Sequence, residues 1–243
     1  MQSNNPLFKK AVFTPTADPM TINGAIQKTI VMTGAASAVA VAFFIYCMSI
    51  GYTNSPAMIG AIVGGIGGLV LALISAFKPE TSKMLAMPYA ALEGLFLGGI
   101  SAYYEYRFPG LPLIAVAATF VTTFGLLGLY KARIIQATEK FKAVVISATL
   151  AILILYVVQW VMVLAFGNSI PFLFSNGIIG LGFAAFVAII ASLNLILDFD
   201  LIERSAELNA PKYMEWFCGI AMLATLVWMY ISFLRLLGII RSE

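Results

Sequence analysis

The sequence predicts an all-α fold, a polytopic membrane protein built as a seven-transmembrane helix bundle, and three observations carry that prediction. Apolar residues fill 61% of the 243 positions and charged residues only 10%, against about a quarter charged in a soluble domain. The apolar residues gather in seven runs of roughly 20, the length that crosses the hydrocarbon core. The connections are short and hold turn formers: Gly51 to Pro56, Lys78-Pro79-Glu80, Phe108-Pro109-Gly110 and Gly167-Asn168-Ser169-Ile170-Pro171.

The expected spans are 27–50, 57–77, 84–104, 112–131, 143–166, 176–202 and 212–238. Residues 1–26, with Pro6, Lys9, Lys10, Pro15, Asp18 and Pro19, do not resemble a basic, apolar, cleavable signal peptide. They read as a short cytoplasmic tail, followed by a single membrane domain over 27–243. All but three of the fourteen Lys and Arg residues fall on one set of loops. Arg107, Arg235 and Arg241 are the exceptions. That bias predicts the N-terminus inside and the C-terminus outside. No internal repeat supports an inverted-repeat transporter.

Span 2 places Gly60, Gly64 and Gly68 on one face at four-residue spacing, and span 3 repeats the spacing with Gly94 and Gly98. Such glycines let helix backbones approach closely. They serve packing inside the bundle or a homodimer face. Span 3 also carries Glu93, without a cation three or four residues away on its helix. Its roles are a structural hydrogen bond or an ion or proton site. Thr119, Thr122 and Thr123 of span 4 are expected to bond back to their own helix. Gln159 of span 5 is a candidate interhelical hydrogen bonder.

Span 6 ends in Asn194-Leu195-Ile196-Leu197-Asp198-Phe199-Asp200-Leu201-Ile202-Glu203-Arg204. At 100° per residue, Asp198 and Asp200 point in opposite directions. Asp200, four residues before Arg204, reads as a solvated cap paired with that arginine. Asp198 shares a face with Asn194 and is the buried candidate. Span 7 is expected to open at Asn209-Ala210-Pro211, with proline near the first helical position. Glu215, Cys218, Met222, Thr225, Met229 and Ser232 then form one stripe, which predicts a central helix. Arg235 either pairs with Glu105 or snorkels to the interface.

The composition excludes several functions. The chain has no histidine, which removes the commonest general base and metal ligand. Proton sensing therefore falls to carboxylates. Cys47 and Cys218 both lie in apolar runs and read as packing residues. No metal cluster, P-loop or nucleotide fingerprint is present. The reading is a non-enzyme without cofactor or nucleic-acid partner, whose surroundings are the lipid bilayer.

Glu93-Gly94-Leu95, Gly98-Gly99-Ile100-Ser101, Leu197-Asp198-Phe199-Asp200-Leu201-Ile202, and Trp228-Met229-Tyr230 followed by Leu234-Arg235-Leu236-Leu237 resemble one family. It is the Bax inhibitor-one/YccA-like (TMBIM) group of membrane proteins, in its bacterial branch. The resemblance implies a multi-pass protein of the bacterial inner membrane and a pH-sensitive calcium leak. In the family, an aspartate in span 6 and one in span 7 hold a gate shut according to protonation. Asp198 matches the first; counting back ten residues from Arg235 places Thr225 at the second. Asp198 then works with Glu215 or Asp200, or the gate is altered, or conduction is lost. The alternative implied is a non-conducting regulator that binds another membrane protein, such as a membrane protease.

Overall fold

A computed structural model describes residues 18–50, 54–167 and 177–242. Most of the expected tail, including Lys9 and Lys10, lies outside the described residues, as do 51–53 and the turn at Asn168 to Pro171. Among the described residues there are seven helices long and apolar enough to cross a membrane. They are α1 (Ile22–Ser49), α2 (Asn54–Phe77), α3 (Ser82–Arg107), α4 (Leu111–Lys131), α5 (Glu139–Phe166), α6 (Ile178–Glu207) and α7 (Met214–Ser242). A single 3-10 turn, Pro79–Thr81, joins α2 to α3.

Local chemistry sets the ends. Thr21 caps α1 by accepting from Gly24 N at 3.0 Å, and Thr138 caps α5 by accepting from Phe141 N at 3.2 Å. Each satisfies one of the donors orphaned at a helix start. Gly110, at φ 80, turns the chain from α3 into α4. This conformation is open to glycine because no Cβ clashes there.

Most boundaries differ from the sequence expectation by one to five residues, with α6 running to Glu207, five beyond 202, and two of the differences have a visible cause. Helix α1 starts at Ile22, five residues before 27, because the Thr21 cap holds a first turn that Asn23, Gly24 and Gln27 make too polar for a hydropathy window. Helix α7 starts at Met214, and Pro211 is not in its first turn. Pro211 forms an isolated antiparallel bridge with Pro19, Met20 N donates to Ala210 O at 2.8 Å, and Asn209 takes φ 53 to make the turn.

Helix α7 is the axis of the bundle, packing on α6, α1, α3 and α4. Its predicted stripe is buried in full: Glu215, Cys218, Met222, Thr225, Met229 and Ser232 are each at most 9% exposed. Helices α1, α2 and α3 form a tight group through glycine. A Cβ on Gly64 would lie 2.4 Å from Leu92 O, and one on Gly94 would lie 2.6 Å from Ala36 O. Backbone oxygens cannot yield as side chains do, so these glycines serve packing within the bundle. Helices α4 and α5 are peripheral, with apolar faces turned outward as lipid requires.

Candidate functional site: acids around the C-terminal half of helix α6

Asp198 projects from α6 into its seam with α7, about 14 Å from the helix end at 1.5 Å per residue. The residue is half-buried, yet its Oδ2 is sealed and has no hydrogen-bond partner among the described residues. The Thr225 hydroxyl is the hydrogen-bonding neighbour of the carboxyl, and Cys218 lies within its electrostatic reach. Leu195, Ile196, Phe199, Ile202, Met214 and Met222 make up the surrounding core. No lysine or arginine forms an ion pair with it among the described residues. A carboxylate in such a place is costly when charged, so its charge state and the packing of α6 on α7 are linked.

Asp200 is not the solvated cap expected. Its side chain is 15% exposed and is gripped from two sides. Lys142 of α5 donates to Oδ2 at 2.5 Å, and Arg204 reaches Oδ2 at 2.9 Å. The Arg204 pairing agrees with the helical wheel. The solvation does not, because α5 covers the site and delivers Lys142. Glu139 extends the network, 3.2 Å from Arg204 and 3.7 Å from Lys142. Glu203 adds a parallel link, accepting from Tyr130 at 2.5 Å and Arg133 at 2.7 Å. A cavity of about 470 Å³ opens beside these side chains.

Asn194 shares the Asp198 face on the wheel but turns to α5. Its amide donates to Thr149 Oγ1 at 2.9 Å and to Ile190 O at 2.8 Å. Glu215 is 1% exposed and faces α1: Thr21 N and Oγ1 donate to its Oε1 at 3.0 and 3.2 Å, and Lys212 Nζ lies 3.2 Å away. Glu93, 8% exposed, has Tyr89 as its hydrogen-bonding neighbour and lies against Gly68, while its Oε2 has no partner among the described residues.

Glu105 and Arg235 do not pair with each other. Both Glu105 oxygens accept from Gly110 N, at 3.0 and 2.9 Å, because the α3–α4 turn brings that donor to them. Arg235 donates to Tyr156 Oη at 3.0 Å and lies 5.6 Å from the Phe183 ring centre. Two of the three threonines bond back as expected: Thr119 donates to Ala115 O and Thr123 to Thr119 O.

Three positions escaped the sequence reading: Thr21, Lys142 and Ser205. Thr21 carried a signal, a capping threonine just ahead of Ile22. Ser205 is seven residues beyond Asp198 on the same face, is fully buried and lies beside Cys218. Lys142 had no local signal, since its partner is 58 residues away. Among the described residues no group of three acids or cysteines could hold a metal ion.

Seven apolar helices with α7 at their centre, and a carboxylate sealed at its side, define an integral, multi-pass membrane protein. A family model described as Bax inhibitor 1 like matches residues 4–242, and the chain belongs to that family. No curated protein and no solved structure matches it.

Proposed function

We propose that the protein is a pH-sensitive cation leak of the bacterial inner membrane, with calcium as the permeant ion and Asp198 as the titrating gate residue. The observation that carries this reading is the sealed, unpartnered Oδ2 of Asp198 in the α6–α7 seam. Protonation removes the charge that the seam tolerates least. Ionisation restores it and favours a rearrangement that admits water. The protein works without a cofactor, as a non-enzyme, with the lysine-rich end in the cytoplasm. Asp200 serves as an anchor for this gate, because both of its oxygens already have cationic partners.

The decisive measurement is calcium flux into liposomes holding the purified protein, across pH 5 to 8. The expected result is that Asp198→Asn makes flux independent of pH. PH-dependent flux that persists unchanged in this variant sinks the assignment.

A second reading, the non-conducting regulator that binds another membrane protein, draws on one observation. Thr225, not an acid, stands beside Asp198, so among the described residues no second carboxylate is placed to share its proton. This reading predicts no flux from wild type at any pH and a partner crosslinked to it in native membranes. Thr225→Asp separates the two readings. In the leak reading the variant makes flux more steeply pH dependent; in the regulator reading flux stays absent.

A further inference from the structure

We propose that residues 18–21 form an autoinhibitory strap, in which Met20 plugs the end of the α6–α7 seam and Glu215 is the hook that holds it. The inference rests on the leak reading for its consequence but not for its geometry. Met20 precedes the first helix, yet it is only 3% exposed and belongs to the same core cluster as Phe199, Ile202, Met214 and Cys218. A residue just ahead of a surface-facing helix thus fills the space between the two helices that flank Asp198.

Polar ties surround this one apolar side chain. Met20 N donates to Ala210 O at 2.8 Å, Thr21 N and Oγ1 donate to Glu215 Oε1, and Lys212 Nζ lies 3.6 Å from Asp18. All of them end on the α6–α7 loop or the first turn of α7. Movement of the start of α7 therefore draws on the plug directly. Glu215 is fully buried, and its described partners are Thr21 and Lys212. Release of the strap strips two donors from a buried carboxylate, which couples opening to a defined cost. The fit is close: a Cβ on Gly24 would lie 2.0 Å from Glu215 Oε1. Cys218, 1% exposed, belongs to the same core cluster as Met20 and lies within the electrostatic reach of Asp198.

The native cysteine makes the strap testable without ion flux. In full-length protein carrying Cys47→Ala, the rate at which N-ethylmaleimide labels Cys218 reports opening of that cluster. Thr21→Val, which takes a donor from the buried Glu215, and Met20→Ala, which truncates the plug, are each expected to speed labelling on the order of tenfold. Thr138→Val, which removes the equivalent cap from α5, is expected to leave the rate unchanged. If Met20→Ala does not fold, Thr21→Val decides the matter, since Thr21 is exposed. Labelling no faster than the parent in Thr21→Val overturns the strap, and so does equal acceleration by Thr138→Val. Faster labelling with calcium flux raised at neutral pH supports both strap and leak. Faster labelling with no flux at any pH supports the strap and overturns the leak.

Discussion

Helix α6 meets α5 and α7 with opposite chemistry within two residues. Toward α5, Asp200 has each oxygen engaged by Lys142 or Arg204, Glu139 closes the network, and Asn194 bonds Thr149. Toward α7, Asp198 has one oxygen with no partner among the described residues, beside a threonine. The first seam is cross-braced by polar groups from Asn194 to Arg204. The second is apolar around Asp198. A carboxylate that is fully paired fixes geometry, whereas one that is not makes geometry depend on its proton. The same residue type, two positions along, therefore serves as a fastener on one side and a candidate switch on the other.

The sharpest break of this contrast compares the two acids. Asp200→Ala removes the nearest acceptor of Lys142 and Arg204, leaving them the exposed Glu139, and is expected to cost about 2 kcal/mol of stability. Thermal unfolding in detergent measures it. Asp198→Asn, in the same assay, is expected to stay within about 0.5 kcal/mol of wild type, since it removes a charge that lacked a counter-ion. If the order of the two is reversed, the contrast is wrong.

A smaller effect tests the brace further along the α5 seam. Asn194→Ala is expected to lower stability by about 0.6 kcal/mol, typical of a hydrogen bond between membrane helices. A double-mutant cycle with Thr149→Val, showing the two losses to be non-additive, verifies that the amide acts through Thr149.

The smallest effect lies at the start of α7. The hydrogen bond to Glu215 holds the Lys212 ammonium above its ordinary range. Its contribution is fully present below the ordinary lysine value, about 10.4, and is lost as pH rises through the higher folded value. Lys212→Gln is therefore expected to flatten the alkaline end of a melting-temperature profile and to change little near neutrality.

The spans were legible because a bilayer demands continuous apolar length, a signal that needs no tertiary information. The α7 stripe and the divergence of Asp198 from Asp200 were legible for a related reason: helical periodicity fixes faces within one helix. Partners from other helices were not. Lys142 reaches Asp200, and Thr21 reaches Glu215 across 194 positions, and no local pattern encodes such meetings. Asn194 shows the limit well. The wheel placed it correctly on the Asp198 face, but the side chain had a choice of neighbours and took Thr149. Pro211 misled for the opposite reason, as a proline near a helix start also suits a bridge in the preceding loop.

The sealed oxygen of Asp198 has a consequence for spectroscopy. When the proton sits on Oδ1, the bare Oδ2 is the carbonyl oxygen, and a carbonyl free of hydrogen bonds vibrates at higher frequency than one in water. Infrared difference spectra taken on a pH step should therefore isolate it from the solvated acids. Glu93, whose Oε2 is similarly bare, offers a second such band, and Asp198→Asn and Glu93→Gln assign one each. The protein carries its own vibrational labels at the two depths where an added probe would disturb the packing most.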